Sequence, residues 1–276
     1  MSQPFLQLAI DVGNSRLKFV LLKTEVSAEE HNPLPQVVQA ISTLIDGSLP
    51  WEQINAWFEN QQELTCQTVV AGSNPRGIEQ IVKDWPQGNL PAPIEVLNTD
   101  RFPLEICVDE PRKVGIDRLL NAVAANALRQ ADQAAIIIDT GTATTVDVVT
   151  PDGSFAGGSI LPGFELSAKA LNDYTALLPL IPVDDLRQAE SVVLGKNTTD
   201  AIRSGLFWGQ LGAVRELVNQ LQKQSLPNAS QVRPLVLLTG GGSALLASHL
   251  EELVHFEPLL TLQGLALVAQ EISGDR

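Results

Sequence analysis

The sequence is poor in basic residues and in the residues that form disulfides or bind transition metals. It has 18 Lys and Arg against 32 Asp and Glu, a formal net charge of −14 at pH 7, with 3 His and 2 Cys. So few cations disfavour the extended basic face that nucleic acid or an anionic membrane requires, and we expect neither a nucleic-acid partner nor a membrane partner. Cys66 and Cys107 have no CxxC spacing. They predict reduced, buried thiols in a cytoplasmic protein.

Long apolar runs and the commonest nucleotide-binding motif are also missing. No apolar run reaches the roughly 18 residues of a membrane-spanning helix, and no signal-peptide pattern opens the chain. No GxxxxGK[ST] motif occurs, which excludes nucleotide binding by a P-loop. The 276 residues, 44% of them hydrophobic, suit two modest domains with cores of their own. We therefore expect a cytoplasmic, two-domain protein.

The sequence does contain a clear strand–turn–strand pattern near its start. Residues 8–22 read LAIDVGNSRLKFVLL, in which an apolar strand ends at Asp11 and a tight turn at Gly13–Ser15 follows. This pattern predicts a β-hairpin. Backbone amides at such a bend can bind an anion, and the carboxylate can help to hold a metal ion beside it. For this stretch alone, a plain surface hairpin is an equal alternative.

A second copy of the pattern favours the anion-binding interpretation. Residues 135–149 read AIIIDTGTATTVDVV, again an apolar strand that ends in Asp before a glycine turn. Superposing the copies pairs Asp11 with Asp139, Gly13 with Gly141 and Asn14 with Thr142. The repetition predicts a duplicated domain. The arrangement resembles the superfamily of actin, sugar kinases and heat-shock ATPases, where each of two related domains lends one hairpin to the phosphates of ATP.

Strands and helices alternate in the rest of the chain, which predicts an α/β fold. The resemblance implies two duplicated ribonuclease H-like (actin-like) domains, each a mixed central sheet flanked by helices, with an ATP cleft between them. We expect them at residues 1–114, with the first hairpin, and 115–276, with the second. Gly240–Gly242 follow a buried strand and fit an adenosine-binding turn. Leu104–Val108 alternates like an edge strand.

The segment Gly115-Ile116-Asp117-Arg118 opens a strongly helical stretch. Asp117 is expected in a first helical turn for electrostatic reasons alone, so a purely stabilising role is one interpretation. Arg118 is unfavourable at a helix N-terminus unless an anion lies nearby, which points to a substrate site. Before a long helix predicted at 201–221, either Asn197 or Thr198 is a candidate N-cap.

Five motifs in this order are similar to those of type III pantothenate kinases, over nearly the whole chain from Leu8 onward. They are Asp11–Ser15, Gly115–Arg118, Asp139–Thr144, Gly157-Gly158 with Pro162-Gly163, and Asn197-Thr198. The resemblance implies ATP-dependent phosphorylation of pantothenate to 4′-phosphopantothenate, which opens coenzyme A biosynthesis. The alternatives are another small-molecule kinase of the superfamily, such as a sugar kinase, and a non-catalytic ATP-binding regulator. Sugar kinases are usually longer, and a regulator predicts loss of Asp117 or Arg118.

The resemblance also implies roles for individual residues. ATP, with Mg²⁺, would contact Asp11, Val12, Gly13, Asn14, Ser15, Arg16, Leu17, Lys18 and Thr142. Pantothenate would contact Gly115, Ile116, Asp117, Arg118 and Thr198, with Asp117 as the catalytic base. Asp139 would ligate a monovalent cation, K⁺ or NH₄⁺. Two positions depart from the family pattern, because Ser15 replaces a threonine and Val108 replaces a tyrosine that contacts pantothenate.

The resemblance further implies a homodimer with the substrate pocket near the subunit contact. A chain this acidic needs a specific apolar patch to dimerise. The helix that starts near Gly115 carries Ala124, Ala125 and Ala127, small residues that permit close helix packing. We expect the dimer to use that helix or its neighbours.

Overall fold

The computed structural model describes residues 5–24, 34–58, 66–86, 90–225, 232–250 and 254–274. It divides into two compact units, Met1–Leu128 with Leu260–Arg276, and Arg129–Leu259. In chain order the elements are β1 (Phe5–Val12), β2 (Arg16–Thr24), β3 (Gln36–Leu44), α1 (Trp51–Phe58), β4 (Cys66–Ala71), α2 (Pro75–Lys83), β5 (Pro93–Glu95), a 3₁₀ turn (Pro111–Lys113), α3 (Ile116–Leu128), β6 (Ala135–Thr140), β7 (Ala143–Val149), β8 (Phe155–Pro162), α4 (Phe164–Asp173), a 3₁₀ segment (Val183–Ser191), α5 (Thr198–Ser225), β9 (Leu235–Thr239), α6 (Ser243–Leu250), β10 (His255–Phe256) and α7 (Leu260–Gly274).

The two sheets have the same strand order and the same strand directions. The first runs β3-β2-β1-β4-β5 and the second runs β8-β7-β6-β9-β10. In each, three consecutive strands pair antiparallel, a fourth pairs parallel with the first of them, and a fifth pairs parallel with the fourth. Each unit thus has the ribonuclease H-like topology, which confirms the predicted fold class. The domain division predicted after residue 114 stays a prediction.

The central strands owe their positions to apolar side chains on both faces. In β1, Leu8 and Ile10 on one face and Ala9 on the other are fully buried, and in β6 Ile136, Ile137 and Ile138 are at most 1% exposed. A strand buried on both faces reads as a nearly continuous apolar run, which is why these two segments are the most apolar of their hairpins. Each run ends at an acidic residue, so burial of the strand brings that carboxylate to the edge of the sheet.

Helices α3 and α7 pack closely within the first unit. Thr261 Oγ1 donates a 2.8 Å hydrogen bond to Asn121 Oδ1 between them, and a Cβ at Gly264 would collide with the carbonyl of Leu120. Ala124 and Ala125 are completely buried. These two alanines serve packing inside the chain and have no exposed surface for another subunit; that the dimer uses α3 or its neighbours stays a prediction.

We expect Gly264→Ala to destabilise the protein, since the new methyl group meets helix backbone that cannot move aside. Overpacking of this kind typically costs about 1–3 kcal/mol of the free energy of unfolding. Gly212 is the matched control, because it lies in α5 with nothing within 4 Å of its Cβ position. Gly212→Ala is expected to stabilise by up to about 1 kcal/mol through helix propensity. Urea unfolding measures both, and equal effects of the two substitutions would contradict the packing argument.

Two expectations about local structure are wrong. Leu104–Val108 is not a strand, and only Ile106 forms an isolated bridge; Pro103 and Pro111 nearby lack the amide hydrogen that a ladder needs. Cys107 is exposed rather than buried. Cys66 is partly buried, and burial raises its pKa to about 11. Among the described residues, no helix combines the length and apolar composition that crossing a bilayer requires.

Candidate active site

The first hairpin places a short turn of small and polar residues at the end of β1. The Gly13 amide donates to the Arg16 carbonyl at 3.0 Å, so the turn itself consists of Gly13, Asn14 and Ser15. The carbonyl of Ser15 accepts a 3.1 Å hydrogen bond from the Ile45 amide, which fixes the far side of the turn. Asn14 and Arg16 are exposed. These side chains are therefore accessible to a ligand at this edge.

Asp11 and Lys18 lie opposite each other in the ladder that leads into this turn. Lys18 Nζ lies 4.0 Å from Asp11 Oδ2, and the two side chains are 24% and 17% exposed. Because both side chains are mostly buried, solvent screens their attraction only in part. The Lys18 ammonium lies beside the turn, where it can also attract an anion.

A second turn, Gly72–Asn74 after β4, packs against the first hairpin. The Asn74 amide donates to the Val12 carbonyl at 3.2 Å, and Asn14 Nδ2 donates to Ser73 Oγ at 3.3 Å. Gly72 has a φ of +152°, and a Cβ there would collide with the backbone of Val12. Asn74 caps α2, since its Oδ1 accepts from Gly77 N at 3.1 Å. Glycine at position 72 is thus required for the two turns to meet.

The second hairpin repeats the first with one residue fewer. The Gly141 amide donates to the Ala143 carbonyl at 3.0 Å, so its turn is Gly141 and Thr142. Thr142 is exposed, and its carbonyl accepts from Gly163 N at 3.0 Å. Asp139 pairs with Thr145 in the ladder where Asp11 pairs with Lys18. The superposition inferred from the sequence matches the observed registers, and only Ser15 has no counterpart.

The turn after β9 packs against this second hairpin as the turn after β4 does against the first. The Gly242 amide donates to the Thr140 carbonyl at 2.8 Å. Gly240 has a φ of +94°, and a Cβ there would collide with Asp139 Oδ1 and with the Thr140 backbone. The duplication therefore includes the turn that packs against each hairpin. In both units that turn contains a glycine of positive φ, which lets its backbone approach the hairpin closely.

The Gly115–Arg118 segment forms the first turn of α3. Asp117 and Arg118 are both partly buried, and Asp117 Oδ1 accepts a 2.9 Å hydrogen bond from the Arg118 amide. A Cβ at Gly115 would lie 2.5 Å from that same oxygen. Glycine therefore leaves the room that the carboxylate occupies, and the amide fixes the orientation of the carboxylate.

Thr198 is the first residue of α5 and is exposed. Asn197 is the cap of this helix, because its Oδ1 accepts from the Asp200 amide at 2.9 Å. Thr198 also belongs to the lining of an open groove of about 790 Å³ between α4 and α5. The other lining side chains are mostly apolar and include Leu166, Leu171, Tyr174, Leu178, Ile202 and Leu206.

Comparison with known proteins identifies the family. The sequence profile of type III pantothenate kinases matches residues 7–220. The type III pantothenate kinase of Akkermansia muciniphila is 34% identical over 95% of this chain and 97% of its own. That of Dehalococcoides mccartyi (strain ATCC BAA-2266) is 32% identical over 95% of this chain and 96% of its own.

The chain belongs to the type III pantothenate kinase family. Among solved structures, component A of the Acidaminococcus fermentans (R)-2-hydroxyglutaryl-CoA dehydratase covers 97% of the chain and 99% of its own, at 15% identity and a TM-score of 0.46. A glucokinase from an Antarctic psychrotroph covers 96% and 98%, at 12% identity and a TM-score of 0.43.

Within this family member, the positions singled out from the sequence fall into two sets. The first unit holds residues 11–18 and 115–118, and the second holds Asp139, Thr142 and Thr198. Sequence reasoning did not assign a role to Ser73, whose contact with the first hairpin depends on folding. Val108, at the tyrosine position of type III pantothenate kinases, is partly buried and lies in a bend before the 3₁₀ turn.

Proposed function

We propose that this protein is an ATP-dependent kinase that phosphorylates pantothenate to 4′-phosphopantothenate, the first step of coenzyme A biosynthesis. The observation that carries the proposal is its similarity to type III pantothenate kinases along nearly the whole chain, 34% identity over 95% of it in one relative. Gly115–Arg118 and both acid-tipped hairpins are intact, which supports a catalytic protein over a regulator that only binds ATP. Its cytoplasmic location stays a prediction.

In this proposal the two hairpins contact the phosphates of ATP. In the first, Asn14 is exposed at the bend, and Arg16 and Lys18 add positive charge beside it. Thr142 contributes an exposed hydroxyl from the second hairpin. Because the whole chain carries a net charge of −14, such local donors and cations must hold the nucleotide. Gly240–Gly242 would leave room for the adenosine.

Pantothenate would lie against Gly115–Arg118 and Thr198, with its carboxylate attracted by Arg118. Asp117 accepts the proton of the primary hydroxyl while the hydroxyl oxygen bonds to the γ-phosphorus. The bond between that phosphorus and the β–γ bridging oxygen breaks, and ADP leaves with its electron pair. The Arg118 amide holds Asp117 Oδ1 at 2.9 Å, so the carboxylate reaches the hydroxyl already oriented.

The donor groups present fit the cations that the proposal requires. Asp11 is a carboxylate at a strand end, as suits Mg²⁺ bound jointly with substrate phosphates. Asp139 lies opposite threonines on both neighbouring strands, Thr145 and Thr239, so its surroundings offer hard oxygen ligands. When bound, Mg²⁺ and a monovalent cation supply positive charge against the phosphates during transfer.

A coupled assay of ADP release tests the proposal directly. With pantothenate, the protein is expected to release ADP and to form a product with the mass of phosphorylated pantothenate. With hexoses or N-acetylated sugars, neither ADP nor a phosphorylated product is expected. A reaction without the protein gives the background rate of ADP release. Turnover with a sugar and none with pantothenate would identify a different kinase of the superfamily. ATP binding with no turnover on any acceptor would identify a regulator.

We also propose that the protein is a homodimer that uses the groove between α4 and α5. Large apolar side chains around this groove are strongly exposed, among them Tyr174 at 89% and Leu177 at 90%. Contiguous exposed apolar surface of this kind marks interaction sites. The groove also includes Thr198, so a second subunit seated there would lie beside a residue proposed to contact pantothenate.

Leu177→Asp and Tyr174→Asp are expected to convert the dimer to a monomer, because each places a charge in an apolar interface. Sedimentation velocity at micromolar concentration measures the change. Leu97→Asp is the control, since Leu97 is also exposed, at 64%, but lies in the other unit. A wild-type monomer, or a dimer that tolerates both aspartates, would contradict the assignment.

A further inference from the structure

One guanidinium joins two carboxylates beside the start of α5. Arg203 lies in the second turn of this helix. Its Nη2 atom donates to Asp185 Oδ2 at 3.0 Å, and its Nη1 atom donates to Asp200 Oδ1 at 3.3 Å. The Arg203 side chain is only 20% exposed, and its Nε atom is buried with no hydrogen-bond partner in the described part of the chain. With one nitrogen shut off from water, the charge of the guanidinium depends on these two carboxylates.

The two carboxylates belong to different elements of the second unit. Asp200 lies in the first turn of α5, whereas Asp185 lies in the preceding 3₁₀ segment. Ser204, next to Arg203 in the helix, donates a 2.6 Å hydrogen bond from its Oγ atom to the Val193 carbonyl. Arg203 and Ser204 therefore hold the chain that leads from the 3₁₀ segment to α5 against the helix at two points.

The same ion pair reaches Thr198 through the cap of the helix. Asn197 and Asp200 bind each other twice, because Asn197 Oδ1 accepts from the Asp200 amide at 2.9 Å and Asn197 Nδ2 donates to Asp200 Oδ2 at 2.6 Å. Gly195 passes so close to the first turn of α5 that a Cβ there would collide with the Ala201 backbone. Thr198 lies in the chain between the two members of this cap, so its position depends on that of Asp200.

We propose that Arg203 is a positioning residue for the acceptor substrate: by holding Asp185 and Asp200 together, it fixes the cap of α5 and with it Thr198. The inference rests on the proposed contact between Thr198 and pantothenate. Because pantothenate is an anion, electrostatic repulsion has to be separated from positioning. The three side chains carry one positive and two negative charges, and loss of the arginine leaves both carboxylates unbalanced, which repels an anion even if Thr198 stays in place.

Steady-state kinetics separates the two effects. Arg203→Gln is expected to raise KM for pantothenate roughly 3- to 100-fold, as is usual for coupling within one hydrogen-bonded network, with KM for ATP and kcat little changed. Asp185→Ala removes one end of the ion-pair network together with one negative charge. Positioning predicts a higher KM for pantothenate in this variant, whereas repulsion alone predicts a lower one.

Arg215→Gln is the matched control for these variants. Arg215 lies on the same helix, and its Nη2 atom donates to the His249 carbonyl at 2.7 Å, away from the cap. The same substitution here is expected to leave both KM values and kcat unchanged. An unchanged KM for pantothenate in Arg203→Gln, or a lower one in Asp185→Ala, would overturn the inference.

A double variant tests whether Arg203 acts through Thr198. Thr198→Val is expected to raise KM for pantothenate, because it removes the hydroxyl that contacts the substrate. Adding Arg203→Gln to it is expected to raise that KM little further, since residues that act through one contact are not additive. Effects that multiply in the double variant would show that Arg203 acts elsewhere and would overturn the inference.

Amide hydrogen exchange gives a readout that needs no turnover. Without substrates, the Asp200 and Ala201 amides, which both donate to Asn197, are expected to exchange faster in Arg203→Gln than in the wild type or in Arg215→Gln. Equal exchange would overturn the inference. Faster exchange in a protein that releases no ADP with pantothenate would contradict the choice of substrate and still support Arg203 as the residue that holds the cap.

Discussion

Asp117→Asn is expected to lower kcat by two orders of magnitude or more while leaving KM for ATP and pantothenate little changed. Asparagine keeps the shape of the side chain, and its Oδ1 can still accept the hydrogen bond that the Arg118 amide donates at 2.9 Å. It cannot accept the proton of the substrate hydroxyl. Loss of a positioned general base typically costs about 10²–10⁴-fold in rate. Steady-state kinetics of the purified variant measures the effect.

The structural alternative for Asp117 makes a different prediction. An acid in a first helical turn contributes roughly 0.3–1 kcal/mol through the helix dipole, so a purely structural Asp117 would show a small loss of stability and normal turnover. Glu52 is the control, because it is the acid in the first turn of α1. Glu52→Gln is expected to leave kcat unchanged. An Asp117→Asn enzyme that kept more than about a tenth of the wild-type kcat would return Asp117 to a structural role.

The hairpins could be predicted from the sequence because their information is local. In each hairpin an apolar run predicts the strand, an acidic residue marks its end, and a glycine turn predicts the reversal of the chain. Because the pattern occurs at both Asp11 and Asp139, each copy supported the prediction for the other. The observed registers agree with that superposition. The shorter second turn is also local, since Thr142 is followed at once by Ala143 and the returning strand.

Features that depend on distant packing could not be predicted in this way. Alternation in Leu104–Val108 resembles an edge strand, but a strand also needs a neighbour, and Ile106 makes only an isolated bridge. The alanines of α3 look like a surface for another subunit until Gly264 of α7 is seen against Leu120. No pattern in residues 104–128 predicts that α7, which begins more than 130 residues later, packs against α3.

The two threonines opposite Asp139 are a further example of information that only folding supplies. Thr145 belongs to an ordinary strand pattern, and Thr239 precedes a glycine turn elsewhere in the chain. They become neighbours of one carboxylate because β7 and β9 both pair with β6. The sequence predicted a cation at Asp139 through family resemblance, but it gave no sign that these two threonines lie beside that carboxylate.

Activity is expected to require K⁺ or NH₄⁺, and Asp139→Asn is expected to remove most of it. The carboxylate ends a strand whose preceding residues are completely buried, where a charge needs a nearby partner. Loss of even an outer-shell partner of a bound metal typically costs about 10–100-fold, so loss of the carboxylate itself is expected to cost at least about tenfold. Initial rates in K⁺ and Na⁺ buffers of equal ionic strength, with Mg²⁺ and ATP fixed, measure the requirement.

Asp152→Asn is the matched control for this prediction, because Asp152 lies in the same unit but at the exposed turn between β7 and β8. There its Oδ1 accepts from the Ser154 amide at 3.1 Å, and hydrogen bonds from Thr150 and Ser154 lower its pKa. This substitution should leave the rate and its response to K⁺ unchanged. Equal rates in Na⁺ and K⁺, or an Asp139→Asn enzyme as active as Asp152→Asn, would show that the second hairpin works without a monovalent cation. Thr142 and the backbone of its turn would then have to hold the phosphates unaided.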